Sequence, residues 1–258
     1  MERYAITFGE VAIIHNGSFQ LGKIRNKGYT IDELKDIKNK IGDQAKLIDL
    51  SKDLPTKSIR EENKAAILLI KNGLNYLFNR KKAANKFLNE QKSLNYDKKY
   101  YESRFNKTLN KRARYNIVFG EENIDHSDDY KTFTIKSFND LKYLKKLRKK
   151  IGKMFGSKAK KLNAEGNYYF HEKSGIGFHG DAERKIVICV SLGDSSILRY
   201  CWRKPGSSLM FGSPIDIDIE HGDIYIMSEK ATGHDWKMRS KYRLVHAAGH
   251  SSYLKHKI

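Results

Sequence analysis

The chain has 258 residues, 39% of them hydrophobic and 31% charged, enough for a real core under a well-solvated surface in one large domain or two small ones. Its longest clean apolar run, Ala65 to Ile70, is far short of the ~20 residues a membrane span needs, and Met1-Glu2-Arg3 opens no apolar signal core. The expectation is a protein of the cytoplasm or nucleus with no membrane partner. The formal net charge of +20 favours a polyanionic partner, nucleic acid first, although a Lys-rich composition produces the same sign without one.

The first third mixes strands and helices. Tyr4 to Ile14 reads as a strand, broken at Asn16-Gly17. Thr30 and Glu33 form a capping box that opens a helix to about Ile41. Lys46 to Leu50 and Ala65 to Ile70 read as short buried strands, and a basic helix follows from about Arg80 to Gln91. Asp97 to Asn110 is polar and aromatic, expected as helix or ordered loop. Tyr115 to Phe119 is a short strand, and Glu121 to Tyr130 an acidic loop. Ser137 to Phe155 is the clearest helix: Leu141, Leu144, Leu147, Ile151 and Met154 recur at helical spacing, with lysines largely opposite. The lysines of 142–161 raise the odds of phosphate contact.

From Asn163 the pattern changes to short strands with turn signals, as in a sandwich or barrel. These include Asn167 to Glu172, Phe178 to Asp181, Lys185 to Leu192, Ile197 to Arg203, Ile215 to Glu220, Ile224 to Met227 and Tyr242 to Ala247. The two cysteines, Cys189 and Cys201, sit in apolar strand-like stretches with no CxxC, which reads as two reduced, buried thiols.

His179-Gly180-Asp181 lies at a strand end, where residues i and i+2 face the same way. An imidazole and a carboxylate there point at one spot. A second imidazole from a distant strand would complete the two-His-one-carboxylate face that holds iron(II). A second such triplet, His126-Ser127-Asp128, lies in the acidic loop without an apolar strand beside it and reads as a decoy.

Around His179 the order Asn167-x-Tyr169, HxD, Ser191-Leu192-Gly193, Gly222-Asp223, His234 and Arg243 resembles the AlkB-like branch of the 2-oxoglutarate/iron(II) oxygenases. The resemblance covers roughly residues 160 to 250, and the chain as a whole is similar to oxygenases encoded by large DNA viruses. It implies an α+β fold with a double-stranded β-helix (jelly-roll or cupin-like) core over residues 116–258. Residues 1–115 would then be an N-terminal α/β module or a bracing extension. It further implies that His179, Asp181 and His234 bind iron, and that Arg243 pairs with the far carboxylate of 2-oxoglutarate. Asn167 and Tyr169 would hydrogen-bond that cosubstrate, and Glu183 would touch substrate. Fe(II) and 2-oxoglutarate are the implied cofactors, with ascorbate as a reductant.

His246 is the rival distal ligand; if it binds, Lys255 falls nine residues on and Arg243 loses its role. Arg239 is a rival for Arg243, but lies too close to His234 for a hairpin return. The pattern departs from the AlkB-like one at Gly249, where a second arginine is often found. Three functions compete. The first is oxidation of a nucleic-acid base, by demethylation or hydroxylation. The others are hydroxylation of a protein prolyl or lysyl side chain, and non-catalytic nucleic-acid binding.

Overall fold

The strand that opens the chain has two unlike faces. Tyr4, Ile6 and Phe8 are apolar, while Arg3, Ala5 and Thr7 are polar or small, and in extended chain these sets point in opposite directions. Such a strand fits the middle of a sheet with different neighbours above and below.

The computed structural model describes residues 2–13, 20–55 and 61–255; the expected turn at Asn16-Gly17 lies outside them. In chain order the elements are β1 (Arg3–Gly9), β2 (Val11–Ile13), β3 (Gln20–Gly22), α1 (Ile31–Ile41), β4 (Ala45–Asp49), β5 (Ala66–Ile70), α2 (Gly73–Phe78) and α3 (Ala83–Lys92). Next come β6 (Lys99–Glu102), β7 (Lys107–Asn110), β8 (Tyr115–Gly120), β9 (Ile135–Ser137), α4 (Lys142–Met154) and β10 (Asn163–Tyr169). The chain ends with β11 (Gly175–His179), β12 (Ile188–Gly193), β13 (Ser196–Arg203), β14 (Met210–Ile219), β15 (Ile224–Met227), β16 (Arg243–Gly249) and α5 (Ser251–Leu254).

An eight-stranded sheet has the order β4-β5-β15-β12-β1-β10-β8-β9, and a four-stranded sheet the order β11-β16-β13-β14. The result is a mixed α+β fold dominated by strands. β1 lies between β12 and β10, antiparallel to both, so the first residues of the chain sit at the centre of the larger sheet. β4 and β5 extend the same sheet beside β15. Strands from residues 1–115 and 116–258 are thus hydrogen-bonded into one sheet.

The alternation sorts the core into two layers. Tyr4, Ile6 and Phe8 pack with Leu34 and Ile37 of α1, Phe87 of α3 and Leu144, Leu147 and Ile151 of α4 on the outer face of the large sheet. Ile67 and Leu69 of β5 face the other way and pack on Leu198, Tyr200, Trp202 and Ile217 of the smaller sheet. The two sheets therefore pack face to face, with the helices behind the larger one.

Local chemistry accounts for the helix ends. Thr30 and Glu33 make the reciprocal capping box at α1. The α4 helix starts at Lys142 instead of Ser137, because Ser137 ends β9 and accepts the Asn139 N–H in a tight turn. Its first free N–H groups, those of Tyr143 and Leu144, donate to the Glu90 carboxylate at 2.7 and 2.9 Å. The helix expected over Arg80 to Gln91 starts only at Ala83, after left-handed Asn79 and Lys82. The centre of Asp97 to Asn110, expected as helix or ordered loop, is the β6–β7 hairpin, closed by a single 3-10 turn over Ser103–Phe105. Among the described residues no helix is long and apolar enough to cross a membrane.

Candidate metal centre

The inner faces of the two sheets enclose a cavity of about 80 Å³, room for several waters. Arg3, Ala5 and Thr7 of β1, Glu165, Asn167 and Tyr169 of β10, and Cys189 and Ser191 of β12 line one side. Ile176 and His179 of β11, Leu198 of β13 and His246 and Ala248 of β16 line the other, with Asp181 and Arg184 at the turn that follows β11.

Three metal-ligating side chains converge here. Ligand atoms of His179, Asp181 and His246 all lie within 4.8 Å of one another. His179 and Asp181 share a direction because they are two residues apart, and the His179 Nε2 lies 3.8 Å from Asp181 Oδ1. Gly180 between them is required by space: a Cβ there would stand 2.3 Å from the Gly233 carbonyl oxygen. The Asp181 N–H donates to the Thr232 carbonyl at 2.9 Å, which pins the turn. His246 enters by sheet register, as the direct partner of His179 across the β11–β16 ladder, with ring centroids 4.5 Å apart.

The ring chemistry suits a cation. His179 Nδ1 donates to the Gly177 carbonyl at 2.8 Å, which fixes the tautomer and leaves the Nε2 lone pair toward Asp181. Burial, reinforced by the neighbouring His179, holds the His246 imidazole well below the usual histidine range, so it is neutral near pH 7. Its Nδ1 is buried and has no hydrogen-bond partner among the described residues.

Arg184 backs this group. Its guanidinium is fully buried and bonds Glu165 at 2.9 Å and Glu183 at 3.0 Å, and stands 3.9 Å from Asp181. Those carboxylates, opposing its burial, keep it charged. Asn167 accepts from Arg114 Nε at 2.6 Å and from the Asn116 amide, and donates to Glu165 at 2.9 Å. Arg3 is different: it is 5% exposed, lies 4.0 Å above the Tyr169 ring, and makes no ion pair among the described residues. A buried guanidinium facing a cavity is a ready site for an anionic ligand.

His234 and Arg243, both expected at the site, lie elsewhere. His234 is not in the cluster; its Nδ1 lies 3.1 Å from the Glu229 carbonyl and its Nε2 3.7 Å from the Glu229 carboxylate, in a separate cleft. The backbone around it does touch the site through Thr232 and Gly233, so proximity in space is combined with the wrong ring direction. Arg243 is three residues from His246 on one strand, and an odd separation puts it on the opposite face. There it donates to the Lys204 and Ser207 carbonyls, outside the cavity. Lys255, the alternative cation, does not line the cavity either.

Asn167 and Tyr169 do line it, although the polar atoms of Asn167 are engaged by protein partners. Glu183 turns to Arg184 and is not part of the lining; burial raises its carboxyl above the usual range, more than Arg184 lowers it. Arg3, Arg114, Glu165 and Arg184 were not anticipated. The one signal for Arg3 was its place in the polar phase of a two-faced strand.

Over 260 aligned residues, 98% of each chain, the sequence is 36% identical to the uncharacterized protein R156 of Acanthamoeba polyphaga mimivirus. The chain belongs to the family of that protein. No protein-family model matches it. The relative's name carries no activity, and the function is argued from the site.

Proposed function

We propose that the chain is an iron(II)- and 2-oxoglutarate-dependent oxygenase on a double-stranded β-helix core. The observation that carries this reading is the His179–Asp181–His246 group, two imidazoles and one carboxylate within 4.8 Å in a shared cavity. That donor set would hold a ferrous ion from one side and leave coordination positions for other ligands. The winding supports the jelly-roll reading. From β10 to β16 the chain passes from the large sheet to the small one and back repeatedly: β10, β12 and β15 lie in one, β11, β13, β14 and β16 in the other.

Iron held there would supply dioxygen activation coupled to decarboxylation of 2-oxoglutarate, with oxidation of a substrate C–H. The protein's share is binding and orientation. Two neutral imidazoles and the Asp181 carboxylate would leave a divalent ion one positive charge in excess, and Arg3 and Arg114 in the cavity wall each add another. Glu165 and Arg184 cancel each other. A buried cavity with that surplus favours a dianionic ligand, and a dicarboxylate meets both centres. One end would lie at the metal and the other would pair with Arg3, which would take the part expected of Arg243. Tyr169 supports the guanidinium from beneath.

The test is metal content and turnover. Protein purified without oxygen and loaded with iron(II) is expected to hold one equivalent and to release succinate from 2-oxoglutarate. His179→Ala and His246→Ala should lose the metal, and His234→Ala should keep it. Full iron retention in His246→Ala would overturn the assignment.

A further inference from the structure

Two basic stretches of this chain, α4 and the β6–β7 hairpin, stand in different relations to the cavity. The α4 lysines lie behind the large sheet. Leu144, Leu147 and Ile151 pack on Tyr4, Ile6 and Phe8, the face of β1 opposite the Arg3, Ala5 and Thr7 face that lines the cavity. A strand held along α4 alone is separated from the metal group by the thickness of the sheet.

The second stretch is the β6–β7 hairpin. Residues 97–114 carry seven Lys or Arg against two acids. Phe105, at the hairpin tip, is 63% exposed, more than any other large hydrophobic side chain among the described residues. The Lys107 ammonium stands 5.6 Å over that ring, and Arg104 keeps a side chain 80% exposed while paired with Glu102 at 3.1 Å. Lys98 and Lys99 are exposed at the base.

This hairpin is joined to the cavity wall. At its base Asp97 bridges to Asn116 of β8, and its carboxylate accepts from the Thr134 N–H and hydroxyl at 2.9 and 2.6 Å. Asn116 is the register partner of Asn167, which lines the cavity. Past β7 the chain delivers Arg114 into the same wall, 2.6 Å from Asn167. Hairpin and cavity are therefore held in fixed relation at the β8 side of the large sheet.

We propose that the β6–β7 hairpin binds single-stranded nucleic acid, with Phe105 stacking on a base and Lys98, Lys99, Arg104 and Lys107 meeting phosphates. A flat ring between cations matches the alternation of base and phosphate along a strand. Stacking needs a free base face, which a paired duplex does not offer. A single exposed ring on a polar hairpin has no apolar surround with which to enter a bilayer. This assignment rests on the oxygenase reading for its purpose, since it names that site's substrate class. Strand binding itself requires no metal, so the two can fail separately.

The experiment is fluorescence anisotropy of the metal-free full chain with a fluorescein-labelled twelve-nucleotide oligothymidylate. Phe105→Ala is expected to weaken binding about tenfold, and Phe105→Trp to restore it with quenching of the new indole. Because the ring is exposed, both variants should unfold at the wild-type temperature. The triple variant Lys98→Gln/Lys99→Gln/Lys107→Gln should reduce the log–log salt slope by about 2, at about 0.7 per phosphate contact. Lys149→Gln/Lys153→Gln on α4 should stay within twofold of wild type. Equal binding by Phe105→Ala, a greater loss in the α4 variant than in the hairpin variant, or tighter binding to a duplex of the same length or to phosphatidylserine vesicles would each overturn the proposal.

Discussion

His246 and His234 are chemically the same residue, and their different fates come from direction. The His246 ring looks across a ladder at His179, whereas the His234 ring is turned to Glu229. Arg3 and Arg243 form a second such pair. Arg3→Ala in manganese-loaded protein should weaken N-oxalylglycine about 10- to 100-fold by calorimetry, the loss of a charged hydrogen-bonded pair worth ~1.5–3 kcal/mol. Metal affinity should be unchanged. Arg243→Ala should leave that binding within twofold and instead lower the unfolding free energy by ~1.5–3 kcal/mol, since it removes the charged donor of two part-buried hydrogen bonds, to the Lys204 and Ser207 carbonyls. A third residue, Lys111, is 6% exposed, and burial pushes its ammonium down to about 8 from an ordinary 10.5. Its folded-state value is the lower one, so between those limits the unfolded chain holds the proton and the native chain does not. Stability is therefore gained as pH rises from about 8 toward 10.5 and lost on the way back, by ~3 kcal/mol in all. Urea unfolding at pH 7.5 and pH 10 checks this: the rise in wild type should be absent in Lys111→Met.

Elements differed in how far their own residues announced them. α1 was legible because its start signal is local: Thr30 and Glu33 satisfy each other's backbone groups wherever the helix lies. The α4 stripe was legible for the same reason, although the start was not, since Ser137 is committed to a strand end and the cap comes from distant Glu90. The β6–β7 hairpin was hidden. Its turn runs through Ser103 to Asn106, with Asn106 left-handed at φ 49, and contains no glycine and no Asn-Gly pair. The opening strand was legible as a strand, but not as the one at the centre of the larger sheet. Ile6 is fully buried there between β10 and β12. Ile6→Ala is expected to cost ~2–5 kcal/mol in urea unfolding, the penalty of a core cavity and not of a frayed terminus. A loss under 1 kcal/mol would place β1 at the periphery.

At the scale of the whole molecule, a boundary near residue 115 has little physical basis. β1 pairs with β10 and β12, β5 pairs with β15, and α1 and α3 cover the outer face of strands from the C-terminal half. A chain of residues 116–258 alone would lack Arg3, leave β10 and β12 each with an unpaired edge, and expose the Ile188, Val190 and Leu192 face. It should show no cooperative urea transition by circular dichroism. A sharp two-state transition in that fragment would mean the N-terminal strands only decorate a self-sufficient core.

What the sequence by itself determined is everything that depends on short separations. That covers the His179–Asp181 direction, the α1 cap, the α4 stripe, the strand-rich second half, and a donor set fit for a divalent cation. The tertiary structure alone decided which second imidazole joins the pair and which arginine faces the cavity. The reason is register: a ladder sets His246 against His179, and another sets Arg3 against Tyr169 on one side and Gly193 on the other. Shifting either ladder by one residue would turn those side chains to the opposite face. Register follows from how two layers of side chains pack across the whole sheet, and no interval along the chain encodes it.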